Sequence, residues 1–245
     1  LLKHKILFNI SNNFDFRLNA FYIYSNNKYD VWTPDNNGFE TYTDYQGLDK
    51  QTTNAYSLIS TYAENNIKIK FISTYSKNNI IYSYDGDWAN NNYWLEDPYS
   101  WDPNVQEYEW SFIDYTYRLR KTYTNELRLV KNHSNFVNIL GIYNSYLVEE
   151  DNRQGWLFAG LADNINSKFK INNYAIYFQN QSKTNNTVFT TSLRYDINET
   201  KHDLNYDSYN WYTYENNNTV IPSITNKDKN LIGGSFRINT QINNN

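Results

Sequence analysis

The sequence predicts an all-β protein, and within that class an antiparallel, up-and-down transmembrane β-barrel sheet of about nine strands. Three observations predict this fold class. Aromatic residues make up 18% of the chain, and they favour strands over helices. Apolar and polar residues alternate along several segments, and short polar breaks alternate with long ones, as in strands that cross a bilayer and return.

Composition narrows the class of protein further. Only 40% of the 245 residues are hydrophobic, and 25 of those are tyrosines, so ordinary core residues are scarce. Asparagine occurs 42 times against 8 glycines and 4 prolines, which indicates that asparagine supplies much of the turn chemistry. The net charge of −4, without a basic run, gives no electrostatic footprint for nucleic acid. The absence of cysteine excludes disulfides and thiol chemistry in this sequence.

The predicted strands and connections follow from these breaks. Short breaks fall at 11–13, 64–66, 132–135 and 181–186. Long polar and aromatic segments fall at 29–50, 85–107, 149–168 and 199–230. The nine predicted strands are 1–10, 14–28, 51–63, 67–84, 108–131, 136–148, 169–180, 187–198 and 231–239.

The segment around Leu127 shows the alternation best. Leu127 and Leu129 share one face of a strand, while Glu126 and Arg128 share the other. A barrel would place the leucines in lipid and the charges in its wet interior. A half-buried soluble sheet explains each such alternation equally well. The alternation therefore supports a barrel only in combination with the sorting of short and long connections.

Three further segments have an apolar set in one phase. The apolar sets are Ile67, Ile69 and Phe71 in the first segment, Val137, Ile139, Tyr143 and Leu147 in the second, and Phe189, Leu193, Tyr195 and Ile197 in the third.

Several motifs resemble the middle strands of TonB-dependent outer-membrane receptors. They are NELRLV followed by a short turn and LGIY, the stretch YFQNQSKTNNTVFTTSLRYD, and SYDGDW at a junction between strand and loop. The resemblance implies a barrel of about 22 strands whose lumen is closed by an N-terminal plug and which draws inner-membrane energy through TonB. It covers most of the chain, although each motif is short and degenerate.

The sequence departs from that family plan. We find no plug, no TonB box and too few strands, and the tail QINNN lacks a terminal aromatic residue. We therefore expect residues 1–245 to be an internal part of a receptor barrel domain, with the plug domain absent from it. Contact with the TonB complex would then go through a missing N-terminal region.

The candidate binding site lies in the long loop DGDWANNNYWLEDPYSWDPN. Aromatic faces stack on sugar rings or planar chelators, and neighbouring amides and carboxylates can orient a ligand by hydrogen bonds. Packing of the loop on itself, or an interfacial girdle, is the alternative. Trp156 and Phe158 raise the same question in the next long segment. The predicted ligand-binding residues are Trp88, Tyr93, Trp94, Tyr99 and Trp101.

Catalytic and metal sites have little support in the sequence. His4, His133 and His202 lie far apart, and surface histidines explain them best. Clustered carboxylates at 85–87 and 149–151 could collect a cation, but charged loop bases are the simpler interpretation. We predict no enzyme activity, no metal and no cofactor.

The predicted function is that of an outer-membrane receptor segment in a Gram-negative bacterium, for TonB-dependent uptake of a scarce nutrient. The resemblance makes an iron–siderophore chelate the default ligand, with cobalamin and oligosaccharides as open alternatives. Outer-membrane lipid and a small-molecule ligand are the expected partners. The first alternative function is a soluble, secreted β-sheet module that binds glycans through the same aromatic residues. An outer-membrane hydrolase is the second.

Overall fold

The computed structural model describes residues 1–29, 33–106, 110–157, 160–210, 213–227 and 230–241. In this part of the chain, ten strands form one antiparallel sheet in which β1 to β8 pair in chain order. The predicted fold class is confirmed: the sheet is an open part of an up-and-down β-barrel. The strands are β1 (Leu2–Asn9), β2 (Phe14–Tyr29), β3 (Gly47–Glu64), β4 (Ile67–Asp85), β5 (Phe112–Asn132), β6 (Phe136–Leu157), β7 (Gly160–Thr184), β8 (Thr187–Asn210), β9 (Glu215–Lys227) and β10 (Leu231–Thr240).

The last two strands share one edge of β8. Strand β9 pairs with the second half of β8, from Glu199 to Asn210, and β10 pairs with its first half, from Thr187 to Asp196. Both run antiparallel to β8, so they form one interrupted ninth strand. Counted in this way, the sheet has the predicted number of about nine strands.

Two of the four predicted long connections are wrong. Most of 149–168 belongs to β6 and β7, and most of 199–230 belongs to β8 and β9. These strands continue as paired hairpins well past the predicted ends, because each neighbour offers a hydrogen-bonding edge that satisfies the backbone. Within the other two, residues 33–46 and 86–106 lie outside the ten strands, and the second range contains α1 (Asn91–Leu95) and α2 (Pro103–Gln106).

The short breaks are tight turns at the opposite end of the sheet. Asn65 and Asn185 have φ angles of 51° and 49°, in the left-handed region that asparagine tolerates better than most residues. Ser11 accepts hydrogen bonds at its side-chain oxygen from the backbone N–H groups of Asn13 and Phe14. Asparagine and serine thus supply the turn chemistry that glycine and proline supply elsewhere.

The register defines two faces, which we call outer and inner. Leu127 on β5 lies opposite Phe71 on β4 and Ile142 on β6, and this outer face continues through Ile176 to Tyr195. Glu126 and Arg128 lie on the inner face. The predicted phases of the segments at 67–71 and 189–197 are confirmed.

The predicted phase of the segment at 136–148 is wrong. Val137, Ile139, Tyr143 and Leu147 lie on the inner face, because Tyr143 pairs with Glu126 and Leu147 with Thr122. Apolar residues occur on both faces of this strand, so alternation alone selects no face. Its orientation is set by the pairing with β5.

The outer face carries an apolar band that packs against nothing in the chain. Leu127 is 43% exposed and Ile142 is 53% exposed, whereas Ala89 and Ala175 are the hydrophobic residues buried within the described part of the chain. A sheet with this much contiguous exposed apolar surface needs an apolar medium on that side. Within the described ranges, no α-helix has the length and apolar composition needed to cross a bilayer.

Candidate functional site

The loop after β4 gathers three of the five predicted aromatic residues. Helix α1 begins after Asn90, whose side chain accepts a hydrogen bond from the backbone N–H of Tyr93 at 3.1 Å. The Trp94 ring lies 5.2 Å from that of Tyr93 and 4.9 Å from that of Tyr99, both edge-on, and Tyr93 and Tyr99 are 5.6 Å apart. We call Tyr93, Trp94 and Tyr99 the aromatic cluster.

Trp101 lies beside this cluster rather than in it. Its ring meets Trp110 edge-on at 4.9 Å, and Trp110 lies 5.8 Å from Trp94. The backbone N–H of Trp101 donates to the carbonyl of Trp94 at 2.8 Å. The alternative of a loop that packs on itself therefore describes Trp94 and Trp101 well.

Two carboxylates fasten the loop to the strand ends. Asp85 accepts from the Thr43 hydroxyl at 2.6 Å and from the backbone N–H groups of Asp87 and Trp88, both at 3.2 Å. Asp87 accepts from the Trp94 indole and from the backbone N–H of Phe112, both at 3.0 Å. Both carboxylates are buried. Asp87 therefore ties the aromatic cluster to the start of β5.

Burial and the neighbouring Asp85 carboxyl raise the pKa of Asp87 to about 8. Two acids in contact cannot both ionise at low cost, so Asp87 holds its proton near neutral pH. The hydrogen bonds from Phe112 and Trp94 act in the opposite direction and favour the charged form. The loop anchor is therefore a titrating group.

The connection between β2 and β3 packs on the aromatic cluster. Tyr42 lies 4.7 Å from Tyr93, and its carbonyl accepts from the Asn90 side chain at 2.8 Å. Tyr42 also forms a parallel bridge with Ala89. A hydrogen bond to Asp35 raises the pKa of Tyr42. The two long loops thus form one structure at the extended end of the sheet.

The sequence did not predict that four further residues come together at this site. They are Tyr42, Asp85, Asp87 and Trp110. Their roles depend on contacts across many positions, such as Thr43 with Asp85, for which the sequence gives no local signal. The one signal in the sequence was the dense aromatic content of both long segments. Of the five predicted residues, Trp88 is 40% exposed and Tyr99 is 46% exposed. These two residues are the most exposed of the five.

The prediction for Trp156 and Phe158 falls outside the described side chains. Phe158 lies outside the described residues, as does the side chain of Trp156. Among the described residues, no group of three or more histidine, aspartate or glutamate side chains has the spacing of a metal site. The acidic residues at 149–151 instead meet bases: Asp151 pairs with Arg118 at 2.6 Å, Glu149 with Arg120, and Glu150 with Lys168.

The inner face is a wall of paired charges and small polar residues. Arg118 and Arg120 of β5 pair with the acids of β6, and Arg153 pairs with Asp114 at 2.5 Å. Further toward the short turns, Thr74 and Thr124 share a hydrogen bond of 2.5 Å. Charges this well paired suit a wet channel wall better than a catalytic centre.

One inner-face contact depends on a glycine. Tyr177 reaches across Gly141, and its hydroxyl bonds to Glu126 and accepts from Arg128 at 3.0 Å. Arg128 also donates to Glu126 at 2.6 Å. A Cβ atom at Gly141 would lie 2.1 Å from Cζ of Tyr177, so only glycine leaves room for the ring.

Comparison with known proteins identifies the architecture. No protein-family model matches the chain, and no curated protein matches it in sequence. The fold is similar to that of the ferric yersiniabactin uptake receptor FyuA from Yersinia pestis, with a TM-score of 0.76 and 9% identity over 98% of this chain and 35% of that one.

It is also similar to the ferric-catecholate import receptor Fiu from E. coli K12. The closed form gives a TM-score of 0.56 and 11% identity over 96% of this chain and 39% of that one. The open form gives 0.55 and 14% over 96% and 43%. The chain thus spans between about a third and about two fifths of the length of these receptors, and its fold is that of a part of such a barrel.

Proposed function

We propose that this chain is part of the barrel domain of a TonB-dependent receptor in the outer membrane of a Gram-negative bacterium, and that the complete receptor imports a ferric chelate. The observation that carries the proposal is the pairing of an apolar outer band with a charged inner wall in a sheet that matches FyuA and Fiu over nearly its whole length. A plug and a TonB-contacting segment would belong to other parts of the receptor.

The exposed apolar band argues against the soluble glycan-binding alternative. Leu127, Ile142 and Leu193 are each more than 40% exposed on the same face, and a secreted module would hold such a surface in water. The neighbours named above are uptake receptors, which favours transport over an outer-membrane hydrolase.

We propose that the exposed rings of the 85–104 loop contact ligand first, and that the packed rings support them. Trp88 and Tyr99 present open faces at the extended end of the sheet, which is the side where longer loops face the exterior in such barrels. Trp94 is held by Asp87 and by the rings of Tyr93 and Tyr99. Each ring that stacks on a ligand contributes roughly 1 to 3 kcal/mol.

The test compares two sets of variants in the complete receptor. Trp88→Ala with Tyr99→Ala should weaken binding of a ferric catecholate or ferric yersiniabactin at least about tenfold. Its loss of thermal stability should be smaller than that of the second set, although Tyr99 also packs against Tyr93 and Trp94. Trp94→Ala with Trp101→Ala removes packed rings, so it should lower thermal stability as well as affinity. Unchanged affinity in the well-folded first variant would remove this loop from the binding site.

Uptake distinguishes the substrate class. Cells that depend on the complete receptor should accumulate iron from one of these chelates only when TonB is present. Tight binding of cobalamin or an oligosaccharide, with no iron uptake from either chelate, would replace the ferric chelate as the substrate.

A further inference from the structure

A row of lysines crosses the outer face just beyond the apolar band. Lys77 on β4 lies directly opposite Lys121 on β5. Lys121 faces Val148, which faces Lys170, and Lys170 lies directly opposite Lys201 on β8. We call Lys77, Lys121, Lys170 and Lys201 the lysine row. Like charges placed directly opposite each other destabilise a sheet unless something neutralises them.

The lysine row sits where a bilayer surface should be. One step closer to the short turns, the outer face carries Tyr56, Tyr75, Tyr123 and Tyr146 in a single cross-strand row, with ring centroids between 4.7 and 6.4 Å apart. Tyrosine rings in such a row are typical of the aromatic girdle of a membrane barrel.

The height of the band supports the same position. From Lys131 to Lys121, strand β5 advances about 33 Å at ~3.3 Å per residue. At a tilt of about 40°, this corresponds to about 25 Å across the membrane, which is the height of the apolar band in such barrels. The lysine row therefore lies at the headgroup level on the extended side.

Acidic residues of the chain neutralise only part of the row. Lys201 lies 3.9 Å from Asp203, and Glu150, diagonal to Lys121, is paired with Lys168 and also attracts Lys121 and Lys170 at longer range. Glu199 lies one row below Lys201, on the same face. Among the described residues, Lys77, Lys121 and Lys170 have no carboxylate oxygen within 4.0 Å. The unbalanced charge is concentrated at the pair of Lys77 and Lys121.

We propose that the lysine row binds the phosphate groups of anionic lipid headgroups in the leaflet on the extended side of the barrel. Anionic phosphates complement the unpaired ammonium groups, and the tyrosine row places the acyl chains of the same lipids against the apolar band. The inference requires a barrel in a membrane and is independent of which ligand the receptor imports.

The experiment uses the complete protein purified in neutral detergent and presented with phosphatidylglycerol and phosphatidylcholine in equal amounts. Native mass spectrometry counts the lipids that remain bound. The wild type should retain phosphatidylglycerol preferentially, and Lys77→Gln with Lys121→Gln should lower that preference about tenfold or more. The preference should also fall as salt is raised.

Two matched variants keep the test decisive. Lys5→Gln with Lys68→Gln removes the same charge from exposed lysines on the inner face and should leave the preference unchanged. Lys77→Arg with Lys121→Arg keeps the charge and should keep the preference. An unchanged preference in the folded Lys77 and Lys121 glutamine variant would overturn the proposal. An equal loss in the inner-face variant would also overturn it.

Discussion

The outer and inner faces of β5 carry side chains of different chemistry. Leu127 and Leu129 point into a band of exposed apolar side chains, while Arg128 between them bonds to Glu126 and Tyr177. Arg128 pairs with Glu126 on the inner face, whereas Leu127 lies between Phe71 and Ile142 on the outer face. The two faces of this one strand therefore present opposite chemistries.

The largest effect should come from placing a charge in the outer band. Leu127 lies near the middle of the band, so Leu127→Arg should destabilise the complete barrel by about 2 to 4 kcal/mol. Leu119→Arg is the matched control, because Leu119 lies on the same face one row beyond the lysine row and should cost about 0 to 1 kcal/mol.

Equilibrium refolding of the complete barrel into lipid vesicles measures both changes. Arg128→Leu should be milder than Leu127→Arg, since Glu126 keeps its contact with the Tyr177 hydroxyl. A greater loss at Arg128 than at Leu127 would mean that the two faces are reversed.

The sequence could predict the faces wherever only one side of a strand is apolar. At Ile67, Ile69 and Phe71, apolar residues alternate with lysines, so the phase follows from the pattern. At Val137 and Ile139 the inner face is apolar as well, and the contrast that alternation needs is missing. The orientation of this strand is then set by its pairing with neighbouring strands, and it cannot be predicted from the sequence of this strand alone.

The extended end was harder to predict for a different physical reason. The parts of β6, β8 and β9 beyond the lysine row carry polar residues on both faces, so they resemble loops in composition. Their backbone hydrogen bonds come from equally long neighbours. The aromatic content of the 85–104 loop was visible in the sequence, whereas its anchoring by Asp85 and Asp87 depends on Thr43 and Phe112.

A second prediction concerns the close approach of backbone and ring on the inner face. Gly141→Ala would place a methyl group where the Tyr177 ring lies, so the ring must leave Glu126 and Arg128. We expect a loss of about 1 to 3 kcal/mol in the same refolding measurement.

The Tyr177→Ala background is the control for that prediction. With the ring removed, adding Gly141→Ala should cost almost no further stability, because the new methyl group no longer meets the Tyr177 ring. An equal cost of Gly141→Ala in both backgrounds would show that the glycine serves the backbone and not the ring.

The most local effect should be a change in the 85–104 loop with pH, which leaves both faces of the sheet untouched. The pKa of Asp87 is raised to about 8 by burial and by Asp85, whereas its ordinary value is 3.8. The folded loop therefore favours the protonated carboxyl. Its stabilising contribution is complete below the ordinary pKa, and it is lost as the pH rises through the raised one. Protection of the Trp88 and Phe112 amides from hydrogen exchange, corrected for intrinsic rates, should decline toward about pH 8 and then level off.

Asp85→Asn sharpens this last prediction. The asparagine oxygen can still accept from the backbone N–H groups of Asp87 and Trp88, and its amide can donate to the Thr43 hydroxyl. The like charge beside Asp87 is gone, so the pKa of Asp87 should fall toward its usual range, with burial still holding it above 3.8. The decline in amide protection should therefore begin and end at lower pH than in the wild type. A decline at the same pH in both proteins would mean that a group other than this pair of carboxyls controls the loop.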